Sequence, residues 1–167
     1  MELTQELVRE VFEYREDGKL IHKMARPNTK VGAEAGRVNA RGYRQAGVLG
    51  KLYFTHRIIF LYHHGYLPKQ LDHINGVRTD NRIENLRECT QSQNIANTKG
   101  TAGSGYKGVY KNRRKWKVEI RVNYKSIYLG SYDNIETAAQ VAAAAREHYF
   151  GAFANHGHIE EGVMNND

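Results

Sequence analysis

Between Leu71 and Asn97 the chain reads LDHINGVRTDNRIENLRECTQSQNIAN, and four side chains in that run could share one reaction: Asp72, His73, Asn85 and Asn94. An imidazole can take a proton from water near neutral pH, which makes His73 a candidate general base. The side-chain oxygen of Asn85 can accept the imidazole's other N–H and so fix which nitrogen is basic. Asp72 and Asn94 offer hard oxygen donors suited to magnesium, which takes few protein ligands and keeps several waters. A base, its orienter and a cation to offset developing charge are what hydrolysis of a phosphodiester requires. Each of these residues taken singly is an ordinary turn former. Their combination in one short run points to chemistry.

The elements that must position them can be read from the same run. Residues 71–74 form a short strand, Asn75-Gly76 a turn, and residues 86–89 a second strand. Asn81 with Glu84, and Thr90 with Gln93, have the capping-box spacing that starts a helical turn. The order is therefore strand, long loop, strand, helix. Neighbours in a regular strand face opposite ways, so Asp72 and His73 can serve one site only if the first strand twists or ends there, and such a distortion is expected.

Upstream, Leu7, Val8, Val11 and Phe12 recur at helical spacing, which predicts an amphipathic helix over residues 3–13. Short segments at 19–23, 35–38, 43–48 and 52–55, punctuated by glycines, predict a small antiparallel meander. Residues 56–63 read as a compact apolar helix stopped by Gly65 and Pro68. His56 opens that helix, with a structural hydrogen bond as its expected role and catalysis as the alternative. His63 and His64, at the helix end, read as structural.

Charge locates the partner. The 167 residues carry 25 Lys and Arg against 18 Asp and Glu, a net charge of +7 with a pI near 9.5, which favours a polyanion. Residues 101–130 hold eight basic residues against the one acid Glu119, so this window carries the whole imbalance, interleaved with Tyr106, Tyr110, Trp116, Tyr124 and Tyr128. Such a mixture marks nucleic-acid contact. Cys89 is the one cysteine, which rules out an intramolecular disulfide and a cysteine-built zinc site. The first residues lack a basic leader and a long apolar run, so a soluble protein of a reducing cytoplasm, without a membrane segment, is expected.

The stretch rich in Gly, Ser and Thr at 99–105 predicts a linker. Beyond it, residues 116–122 alternate strictly, with Trp116, Val118, Ile120 and Val122 on one face and Lys117, Glu119 and Arg121 on the other. That is a half-buried strand. Residues 123–125 turn, residues 126–132 return, and residues 135–150 have helical periodicity with an alanine-rich face that ends at Gly151.

The run D-H-I-N-G, D-N-R-I-E-N-L-R and then Asn94 resembles the HNH endonucleases, above all the phage and intron-encoded homing nucleases. The resemblance covers residues 50–97. It implies a ββα-metal motif, with Asp72 and Asn94 as metal ligands, His73 as general base and Asn85 as its orienter. Asn94 stands where some members carry a third His, which shifts the expected metal to Mg2+ or Mn2+.

Residues 105–155 resemble the DNA-binding domain of ethylene-response-factor and APETALA-type transcription factors. The landmarks are Tyr106, Gly108-Val109, Trp116, Glu119-Ile120-Arg121, Tyr128-Leu129-Gly130, the alanine-rich helix and the segment from Gly151 to Asn155. The resemblance implies a three-stranded sheet that enters the major groove. It places Lys107, Tyr110, Glu119, Arg121 and Tyr128 at DNA-contacting positions, with Arg113 or Arg114 in the first hairpin, and Lys117 joins them from the strand's polar face. Tyr110 stands where that family usually has Arg, and Tyr128 where it often has Trp, so base preference does not carry over.

The expectation is thus an α+β protein: an HNH nuclease domain with a β-meander over residues 1–98, a linker at 99–105, a sheet-and-helix DNA-binding domain at 106–155 and a polar tail at 156–167. Its expected activity is hydrolysis of phosphodiester bonds in double-stranded DNA, one strand nicked per monomer, by a monomer or weak homodimer in a bacterial or phage-infected cytoplasm. The rival readings are a DNA-binding regulator with a relic HNH segment and a nuclease directed at RNA.

Overall fold

The structure, a computed structural model, describes residues 2–25, 29–98 and 103–157. Helices and sheets are mixed, and the contacts divide the chain into two compact units, Met1–Cys89 and Thr90–Asp167.

In the first unit, Thr4 caps helix α1 (Gln5–Val11) by accepting the Leu7 N–H on its hydroxyl. The helix stops earlier than its periodicity predicts, because Phe12 turns to extended backbone and starts a strand. That strand, β1 (Phe12–Tyr14), pairs antiparallel with β2 (Leu20–His22). The segment expected to open the meander therefore belongs to a separate hairpin, linked to the rest by the bridge from Ile21 to Glu34. The meander itself is β3 (Arg37–Val38), β4 (Arg44–Val48) and β5 (Lys51–Phe54), in that order. Helix α2 (Thr55–His64) follows and ends at Gly65, whose φ of 76° permits the left-handed cap. Ile58 and Ile59 from α2, Val8 from α1, Phe12, Leu20 and Val48 are fully buried together and form the core that fixes these elements.

Against this core stands the hairpin of β6 (Leu71–His73) and β7 (Leu86–Glu88), in the register Leu71 to Glu88, Asp72 to Arg87 and His73 to Leu86. The strands and turn of the motif are as expected. The loop between them closes through one 3-10 turn, Ile83–Asn85, which Asn81 does not cap.

In the second unit, helix α3 (Gln91–Asn97) opens with the expected capping box, both bonds between Thr90 and Gln93 being present. A three-stranded antiparallel sheet follows: β8 (Val109–Asn112), β9 (Lys115–Val122) and β10 (Lys125–Tyr132), with β9 central. Helix α4 (Ile135–Phe150) is capped by Asn134 and lies on one face of the sheet, where Ala138 and Ala142 meet Val109 and Val118 in a buried apolar core. Alanine at those positions lets helix and sheet approach closely. The residues 99–102 of the expected linker and 158–167 of the expected tail lie outside the described residues. Among the described residues no helix is long and apolar enough to cross a membrane.

Candidate active site and nucleic-acid interface

Strand β6 ends at His73, and the chain turns at once, the Gly76 N–H donating to the His73 carbonyl. His73 is buried. Its Nε2 lies 3.0 Å from the side-chain oxygen of Asn81, which can only accept, so the imidazole donates there and its basic lone pair sits on Nδ1. The rings of His56 and Tyr43 surround it at centroid distances of 5.0 and 6.1 Å. Burial holds the His73 pKa below the usual imidazole value, against the opposing pull of the Asn81 bond and of Asp72 and Asp80. The ring is therefore neutral and able to take a proton.

Asn85 does not orient the imidazole, which corrects the expectation. Its side-chain oxygen accepts the Asn75 N–H at 3.0 Å, and its amide donates to Asn75 Oδ1 and to the Asp80 carbonyl. Asn85 thus ties the loop shut, and Asn81, with its side chain turned inward from that loop, meets His73. The loop is further braced where the Asp80 carboxylate takes bonds from Arg82 and Asn75, with Arg82 holding its pKa well below the carboxylate range. The run D-N-R-I-E-N held the signal for Asn81, but its spacing to Glu84 also matches a helix cap.

The N-terminal hairpin supports this loop. Gly18 has φ of +81°, and a Cβ there would stand 2.5 Å from the Arg82 nitrogen and 2.8 Å from the Asn81 carbonyl carbon. The Tyr14 hydroxyl accepts the Ile83 N–H at 3.1 Å. Neither contact is visible in the motif's own spacing.

Asp72 is buried, and its Oδ2 receives two N–H groups of Arg87 at 3.0 and 2.9 Å across the strand pair. A single carboxylate fits a hard divalent cation that completes its shell with water and substrate oxygens. Among the described residues no group of three or more His, Cys, Asp or Glu converges as a self-contained zinc site would require. Asn94 sits in α3, in the second unit. His56 is buried and neutral, its pKa pushed down to about 3 by burial, then by His73 and Arg57. Its Nδ1 has no hydrogen-bond partner among the described residues, so the expected structural bond is absent at that atom.

In the second unit the sheet face opposite α4 collects most of the remaining predicted residues. Register sets Tyr110 beside Lys117, and Tyr128 beside Glu119, on that face with Arg121. Tyr110 and Tyr128 are half or more exposed, while Lys117 and Glu119 pair at 2.5 Å. Arg113, with φ of 54°, and Arg114 form the turn between β8 and β9. Lys107 is the exception. Its ammonium donates to the Ala96 and Thr98 carbonyls at the end of α3, and burial lowers its pKa to about 8. Asn155 adds a bond to the Asn97 carbonyl, and Ser92 accepts the Asn123 N–H. Lys107 is a clamp on α3, not an open phosphate contact.

No curated protein and no solved structure matches the chain. Residues 53–96, which include the β6–β7 hairpin, match the HNH endonuclease family model, so this stretch carries an HNH endonuclease signature.

Proposed function

We propose that the protein is a metal-dependent endonuclease that hydrolyses one phosphodiester bond of duplex DNA per binding event, with the second unit's sheet holding the duplex. The observation that carries this reading is the buried imidazole of His73, tautomerically fixed by Asn81 and set beside Asp72 within a stretch that matches HNH endonucleases. His73 accepts a proton from the attacking water at Nδ1 while its Nε2–H remains on Asn81. Asp72 would hold a divalent cation, Mg2+ or Mn2+, and the resemblance to HNH nucleases implies Asn94 as a second oxygen ligand. Such a cation, when bound, neutralises charge on the phosphate oxygens. Asn85 acts through the loop, keeping Asn81 and His73 in register. Tyr110, Lys117, Arg121 and Tyr128 form the contact face, and Arg113 and Arg114 extend it at the turn. The resemblance to ethylene-response-factor domains agrees with a sheet, rather than a helix, laid in the major groove.

The test is a supercoiled plasmid incubated with the full chain. Nicked circles should accumulate with Mg2+ and not with EDTA, and His73→Ala should abolish nicking while leaving DNA affinity nearly unchanged. Full nicking by His73→Ala, or in EDTA, overturns the assignment.

A further inference from the structure

The first unit, Met1–Cys89, carries 15 Lys and Arg against 11 Asp and Glu, and the structure gathers part of that excess near His73. The loop between β3 and β4 is tightly built, with Asn39 Oδ1 accepting the N–H groups of Arg41 and Tyr43. It presents Arg41 to solvent, and the Arg41 guanidinium has no partner among the described residues. Arg78, exposed in the β6–β7 loop, reaches across to it. One guanidinium nitrogen donates to the Arg41 carbonyl at 2.9 Å, and the group lies 5.0 Å from the centre of the Tyr43 ring. That same ring is 6.1 Å from His73. Tyr43 therefore joins a fixed guanidinium to the candidate base.

Two other arginines of these loops are already matched. Arg44 is paired with Glu34 at 3.1 Å and Arg82 with Asp80 at 2.7 Å, so the loop's own carboxylate is occupied by Arg82. Neither Arg41 nor Arg78 has a carboxylate partner among the described residues. A guanidinium offers a planar fork of N–H donors that suits phosphate oxygens, and one already held by a ring loses little freedom on binding.

We propose, building on the assignment of His73 as the base, that Arg41 and Arg78 form a phosphate-binding subsite that grips the duplex backbone next to the scissile bond. The nuclease unit then contributes contacts of its own to the substrate, in addition to those of the sheet. Its ligand is the phosphodiester backbone, read without regard to base sequence.

The experiment uses the full chain with Arg41→Gln, Arg78→Gln and Arg78→Lys. Duplex affinity is titrated against KCl without divalent cation, and steady-state cleavage is measured with Mg2+. Each Gln variant should flatten the slope of log affinity against log salt by about 0.9. Each should raise KM about tenfold, the loss of one charged hydrogen bond, and lower kcat far less. Arg78→Lys should restore the slope. Arg41→Gln is decisive because that side chain supports nothing in the fold, so its melting temperature should not move. If both Gln variants keep the original slope and KM, the subsite does not exist. His73→Ala measured alongside separates the two ideas: nicking by that variant removes the catalytic assignment, whereas the salt slopes judge the arginines either way.

Discussion

The side-chain oxygen of Asn81 stands 3.0 Å from Nε2 of His73, inside the protein and on the loop that joins the two strands of the motif. This one bond decides which imidazole nitrogen is basic, and its loss has a readable consequence. Asn81→Ala should lower the cleavage rate about 10- to 100-fold, the range seen when an orienting partner is removed. DNA affinity should stay close to that of the unaltered chain. Nitrogen chemical shifts of His73 should show mixed tautomers in the variant and one tautomer in its absence. A single tautomer in both would assign the fixing of the ring to another group.

Gly18 predicts a second effect at a distance from the motif. A methyl group there meets the Asn81–Arg82 backbone at 2.5 to 2.8 Å and would sit on a residue with positive φ. Gly18→Ala should destabilise the first unit by about 1–3 kcal/mol, the cost of strain of this kind. The cleavage rate at a temperature where the variant is still folded should fall as well, because the displaced backbone carries Asn81. Melting curves and rates measured on the same preparation test both halves.

His56 gives a pH dependence of stability. Its folded pKa is about 3 against an ordinary value of 6.5, so between those limits the unfolded chain binds the extra proton. Stability contributed by this group is present above pH 6.5 and is lost as pH falls toward 3, by at most about 1.4 kcal/mol per unit. Urea midpoints of the unaltered chain and of His56→Phe, followed from pH 7 to pH 4, should converge as the acid slope of the former exceeds that of the latter. Parallel slopes would contradict a neutral, buried His56.

On the sheet, Lys117 and Arg121 should behave differently although they share a strand. Replacing Lys117 with Ala should flatten the salt slope equally on any duplex. Replacing Arg121 with Ala should relax preference at one base position by about 1–3 kcal/mol. Titrations of specific and scrambled duplexes at several salt concentrations distinguish the two outcomes. Lys107→Met should instead lower the melting temperature, since its ammonium holds the end of α3.

Local order was legible wherever periodicity or capping chemistry dictated it. Residues 135–150 and the Thr90–Gln93 box fell where spacing placed them, because an alanine stripe and a reciprocal cap are local devices. The candidate base and its neighbouring carboxylate were legible for a different reason: they are adjacent in sequence on one strand. The amide that meets the imidazole was not. Asn81 and Asn85 are both loop amides, and only the closed loop shows which turns toward His73 and which toward Asn75. The pairing of β1 with β2 was also hidden, because Phe12 satisfies helical spacing and a strand's buried face equally well. The resemblance to ethylene-response-factor domains implied a DNA-contacting position for Lys107, and tertiary packing gave it a carbonyl cluster instead.

The clamp on α3 bears on how such proteins could be assembled by recombination. The glycine-rich stretch after Asn97 is the junction that composition alone suggests. A junction there would separate α3 from the Lys107 and Asn155 that hold its carbonyls, and deliver the helix to a module without them. A junction between Cys89 and Thr90 keeps helix and clamp together, along with the capping box that starts the helix. Chimeras joined at that earlier point should inherit a folded α3 with whichever second unit they receive.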